Sequence, residues 1–151
     1  MVTTTTDRIE RQILLRAPRG RVWRALTDSA QFGEWFGVAV SAAFTTGARI
    51  RGAVKHKGYE HLTWDVVIEQ MIPERLFSWR WHPGADPADE SEPTTLVVFE
   101  LQDAPGGTLL TVVESGFDAI PIARRHKAYR DNDEGWSGQM ESIERYVTAH
   151  P

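Results

Sequence analysis

The sequence predicts an α+β fold: a curved antiparallel sheet of about seven strands around a long C-terminal helix, with two short helices after the first strand. The first observation is the last third of the chain. A strand-like run from Thr108 to Phe117 leads into a helical pattern carrying Trp136, Met140, Ile143 and Val147. These residues step by four, three and four, so they share one side of a helix. The second observation is what precedes them, a succession of alternating apolar and polar runs divided by turn signals. An indole and three aliphatic chains on one stripe need a broad apolar receiver, and a sheet supplies it. A long helix held against a curved sheet leaves a space between them, and function is expected there.

The elements follow in order. From Arg8 to Ala17, Ile9, Ile13, Leu15 and Ala17 share one face of a half-buried strand, with Arg11 the odd member on that face and Leu14 on the other. Pro18 suits the first turn of a helix, where its missing N–H is harmless. Val22, Trp23 and Leu26 form that helix's buried side, and Thr27-Asp28-Ser29 end it while capping the next. Phe32, Trp35 and Phe36 follow, and Gly37 stops the second helix. Strands are then expected over Val38 to Phe44, Ala48 to His56, Tyr59 to Ile72, Leu76 to His82 and Thr94 to Gln102. Phe77, Trp79 and Trp81 share one face, with Ser78, Arg80 and His82 on the other. The acidic, Pro- and Ala-rich segment from Pro83 to Pro93 reads as a mobile loop, and Asp103 to Gly107 as the turn into the last strand.

Length and composition set limits. At 151 residues, with a 41% hydrophobic and a 25% charged fraction, the chain reads as one domain over 8–150 behind a frayed tail at 1–7. Its net charge of −4 and lack of a basic patch argue against nucleic acid. Arg124-Arg125-His126-Lys127 sits beside Asp131, Asp133 and Glu134 and reads as a solvated helix face. No apolar run is long enough to span a membrane, and the first residues lack the pattern of a secretory leader. The absence of cysteine excludes disulfides and thiolate chemistry and fits a cytoplasmic protein. The five histidines show no metal-ligand spacing, so neither a metal nor another cofactor is expected.

Three local motifs carry a family resemblance. The first is Ala17-Pro18 with Val22-Trp23-Arg24-Ala25-Leu26-Thr27-Asp28 and Trp35. The second runs from Glu69 through Pro73-Glu74-Arg75-Leu76 to Trp79. The third joins Gly107-Thr108, Glu114-Ser115-Gly116-Phe117 and Gly135-Trp136. In this order, over roughly residues 8 to 148, the chain resembles the START-like superfamily. Within it, the chain is most similar to the family named after the activator of heat-shock-protein-90 ATPase. The resemblance implies a helix-grip fold and a cavity protein, with a tie to the stress response. Members of that family often carry His where this chain has Glu114, which changes the charge of the pocket.

The candidate site is apolar with a few polar groups. Trp64, Trp79, Trp81, Phe36, Trp136 and Met140 are expected to border a space between sheet and helix, or to fill it. Glu114 shares a face with Leu110 and Val112, which the helix covers, unless its place near the strand end leaves it solvated. START-like folds set the first and last strands side by side, which allows Arg11 to face Glu114. Such a pair is either structural glue or the polar spot that orients a ligand. The leading expectation is a binding protein for a small hydrophobic or aromatic molecule, monomeric or homodimeric. One alternative is a co-chaperone-like interaction module with a filled interior. The other is a cyclase- or hydrolase-like enzyme with Glu114 as proton shuttle; no residue is assigned a catalytic role beyond that alternative.

Overall fold

A computed structural model describes residues 7–83 and 91–151. Residues 1–6, which include the threonine run, and the centre of the expected acidic loop, 84–90, lie outside the described residues. The strands are β1 (Arg8–Leu15), β2 (Val38–Val40), β3 (Arg49–Val54), β4 (Thr63–Ile72), β5 (Leu76–Trp81), β6 (Thr95–Ala104) and β7 (Gly107–Ser115). The helices are α1 (Arg19–Thr27), α2 (Ser29–Phe36) and α3 (Ile122–Ala149), the last preceded by a 3-10 turn at Phe117–Ala119. The sheet is antiparallel throughout, in the order β1-β7-β6-β5-β4-β3-β2. Short links pair β2 to β7 as a meander, and α1 and α2 carry the chain from one sheet edge to the other.

Local chemistry sets the helix ends. The Asp28 carboxylate accepts from the amides of Ala30 and Gln31, both at 3.1 Å, and so caps α2 where α1 finishes. Gly37 closes α2 in the left-handed conformation, φ 92°, which a side chain disfavours. The α3 stripe is buried as its spacing requires: Trp136, Met140, Ile143 and Val147 all pack in the core. The second half of the helix is fastened at two places. Ser142 and Gln139 donate to the carbonyls of Trp35 and Phe36. At the C-terminus, buried Arg21 of α1 donates to the His150 carbonyl at 2.6 Å and to Gln31 at 2.8 Å, and lies over the Tyr146 ring.

Two expected strands are shorter than the alternation suggests. The run from Val38 leaves the sheet after Val40, because Phe44 turns into the core instead and stacks on Phe77 at 5.7 Å. The run from Tyr59 becomes a strand only at Thr63. Before it, the amides of Tyr59 and Leu62 donate to the carbonyls of His56 and Tyr59, winding the segment into turns. The register shifts in β4 between Ile68 and Gln70. The Gln70 amide there donates to Ser78 Oγ at 3.1 Å, and Ser78 is buried while Arg80 and His82 are half-buried.

Candidate functional site

The core around the α3 stripe is filled by aromatic rings. Trp79 is its centre, with Phe32, Phe36, Trp64, Phe77, Trp81, Phe99 and Trp136 at centroid distances between 5.3 and 6.4 Å. Three of these rings meet it edge to face at 87° or 88°, the arrangement the ring quadrupole favours.

Inside this apolar mass sits one acid. Strand alternation from Leu110 and Val112 turns Glu114 onto the concave face, and α3 closes over it, leaving it 0% exposed. Four side chains donate to it. Trp81 Nε1 and Thr95 Oγ1 reach Oε2 at 2.8 and 2.6 Å. Trp136 Nε1 reaches Oε1 at 2.9 Å, and Asn132 Nδ2 bridges both oxygens at 2.9 and 3.1 Å. Three strands and the helix thus converge on a single carboxylate. A buried acid without such partners would be strongly destabilising.

The void lies beside this knot, not around it. A cavity of about 820 Å³ opens between α3, the α2–β2 junction, the β3–β4 hairpin and the end of β5. Phe36, Val54, Leu62, Trp64 and Trp81 supply its apolar walls, and Asn132 and Gln139 line it from α3. Its rim carries Arg49, Arg51, Asp65, Lys127 and Asp131. Arg49 holds Asp65 through two contacts of 3.0 and 2.8 Å, and Arg51 approaches the same carboxylate at 3.4 Å. The Arg49 hydrogen bonds, helped by the charges of both arginines and opposed by burial, hold the Asp65 carboxyl below its ordinary value of 3.8. Lys127 and Asp131 pair with each other at 2.6 Å.

Of the residues singled out in the sequence, Phe36, Trp64 and Trp81 line this cavity. Trp79, Trp136 and Met140 lie in the packed core, and Glu114 sits one side chain behind the wall. The juxtaposition of Arg11 with Glu114 does not occur. The register sets Ile9 opposite Glu114 and Arg11 opposite Val112. The Arg11 guanidinium reaches α3 instead, bonding Asp133 and Ser137. Sequence reasoning missed Asn132, Gln139 and Thr95. The signal was present: Asn132 is four residues before Trp136 and Gln139 three after it, so both border the buried stripe.

Glu114 is fully buried, and both of its oxygens accept hydrogen bonds from side chains. Among the described residues, no three His, Cys, Asp or Glu side chains converge as metal ligands, and no helix is long and apolar enough to cross a membrane. The arrangement is an open cavity with aromatic walls and a charged rim.

A seven-stranded antiparallel sheet gripping a C-terminal helix, with a cavity at their junction, defines a helix-grip protein of the START-like class. The family model described as "Activator of Hsp90 ATPase homolog 1-like protein" matches residues 16–148, and the chain belongs to that family. Solved structures repeat the fold. A Mesorhizobium loti protein is similar at 21% identity and a TM-score of 0.76, over 95% of this chain and 98% of its own. The Aha1 dimer from Colwellia psychrerythraea is similar at 19% identity and a TM-score of 0.67, over 91% of this chain and 92% of that one. DynU16, from the dynemicin biosynthetic locus, is similar at 26% identity and a TM-score of 0.73 over 94% of this chain, which spans 47% of its length. No curated protein matches the sequence.

Proposed function

We propose that this protein binds a small hydrophobic or aromatic molecule in the cavity between the sheet and α3. The observation that carries the reading is the cavity itself, about 820 Å³ and walled by Phe36, Leu62, Trp64 and Trp81. That volume falls within the range of about 300–1,000 Å³ usual for small-molecule sites. Glu114 serves the site from behind, because it anchors Trp81 and Asn132, two of the cavity's own walls. On this reading the protein acts in the cytoplasm as a monomer or homodimer, and retains its ligand without transforming it.

Titration with a panel of aromatic and lipid-like compounds tests this. Binding beside Trp64 and Trp81 quenches indole fluorescence, and Leu62→Arg, which places a charge in the cavity, abolishes the quenching. A panel that produces no quenching, together with native mass spectra showing no retained molecule from the protein's own host, overturns the reading.

The family description supports a second reading, a co-chaperone-like interaction module with a link to stress. The aromatic packing around Trp79 agrees with the filled interior it calls for. Stimulation of a heat-shock-protein-90 ATPase by this chain, unaffected by Leu62→Arg, would favour it over the first.

A further inference from the structure

We infer that the cavity selects ligands by their hydrogen-bond donors, because its helical wall presents two fixed acceptor oxygens, Asn132 Oδ1 and Gln139 Oε1. The inference deepens the ligand-binding reading and rests on it. The ligand class it names is a flat apolar molecule bearing hydroxyl or N–H groups.

A side-chain amide has a donor end and an acceptor end, and its partners decide which end points where. Asn132 Nδ2 donates to both oxygens of Glu114, at 2.9 and 3.1 Å. Turning this amide over would set its oxygen against a carboxylate, acceptor against acceptor. Gln139 Nε2 donates to the Phe36 carbonyl at 2.9 Å, and a carbonyl only accepts, so the same argument locks it. Both residues line the cavity, and no described residue donates to either amide oxygen. The oxygens are the ends left for whatever the cavity holds.

Their spacing adds a dimension. Seven residues make nearly two helical turns, so the two amides lie on one side of α3, about 10 Å apart along its axis. The wall facing them is aromatic, with Phe36, Trp64 and Trp81. A ligand without a donor would take water from these oxygens and return nothing, whereas one with an N–H or O–H replaces that water. A site that accepts a hydrogen bond from its ligand disfavours the analogue that lacks the donor, and because both amides are only half-buried the margin is that of one ordinary hydrogen bond.

Calorimetric titration of the full chain with indole and with benzofuran tests the inference, since the two share shape and differ in one N–H. Indole is expected to bind about five- to tenfold more tightly, the effect of one hydrogen bond. Asn132→Leu and Gln139→Leu should each reduce that preference, and the double variant should abolish it, so that its two affinities become equal whatever their absolute level. Equal binding of both probes to the parent protein, or an undiminished preference in the double variant, overturns the inference and leaves ligand binding standing. Failure of either probe and of every aromatic compound in the fluorescence panel overturns both. If the variants do not fold, the N–H proton shift of indole bound to the parent decides: a downfield shift relative to indole in an apolar solvent supports a hydrogen-bonded donor, and a shift equal to that in the apolar solvent refutes it.

Discussion

Trp136 Nε1 donates to Glu114 Oε1 at 2.9 Å, with the indole 2% and the acid 0% exposed. This bond ties the middle of α3 to the end of β7 inside an otherwise apolar core. An aromatic core alone tolerates sliding and repacking, because apolar contacts are not directional. A carboxylate with four placed donors does not. The knot therefore fixes the position of α3 over the sheet, and with it the position of Asn132 and Gln139 in the cavity wall.

Two substitutions at Trp136 separate packing from hydrogen bonding. Trp136→Ala removes a buried aromatic and is expected to destabilise by about 3–5 kcal/mol. Trp136→Phe keeps most of the ring but withdraws one donor from Glu114, with an expected loss of about 1–2 kcal/mol. Urea unfolding measures both. A Trp136→Phe protein as stable as the parent would mean that the bond contributes nothing.

Glu114→Gln keeps size and shape but replaces one acceptor oxygen with an amide that donates. At least one of Trp81, Thr95, Asn132 and Trp136 must then face another donor. The expected destabilisation is about 2–3 kcal/mol, with altered near-ultraviolet circular dichroism as the two indoles move. An unchanged spectrum and midpoint would show that the donors are not committed to Glu114.

The fold was largely legible in the sequence because alternation and helical spacing report directly on burial. The β7 face of Leu110, Val112 and Glu114 and the stripe from Trp136 to Val147 were read from spacing alone. The cavity's position was not, because it depends on how far bulky rings fill the space. Trp79 lies among seven rings and closes the inner part, which leaves the void at the β3–β4 end. Arg11 misled for a related reason. Alternation gives the face, but register and side-chain reach decide the partner, and here α3 offered Asp133 and Ser137.

Arg21 fastens the last turn of α3 to α1 and α2, through the His150 carbonyl, Gln31 and the Tyr146 ring. Arg21→Met retains the aliphatic stem and loses the charge-assisted bonds. The expected loss is about 1–3 kcal/mol, together with faster amide exchange from Tyr146 to His150. Unchanged exchange there would show that core packing at Val147 alone holds the helix end.

Asp65 gives the protein a predictable acid response. Hydrogen bonds from Arg49, and then the charges of Arg49 and Arg51, hold its carboxyl below the ordinary value of 3.8. The folded state therefore favours the ionised form. Its contribution is fully present above 3.8 and is lost as pH falls through the lower folded value. The stability difference between the parent and Asp65→Asn should be constant from neutral pH to about 5, then shrink on further acidification. Urea midpoints across that series measure it. The Arg51 side chain is 61% exposed, so added salt should weaken its share of the effect, while the two bonds from Arg49 persist. A difference that stays level down to pH 3, with or without salt, would mean that the arginines stabilise this end of the sheet through packing rather than charge.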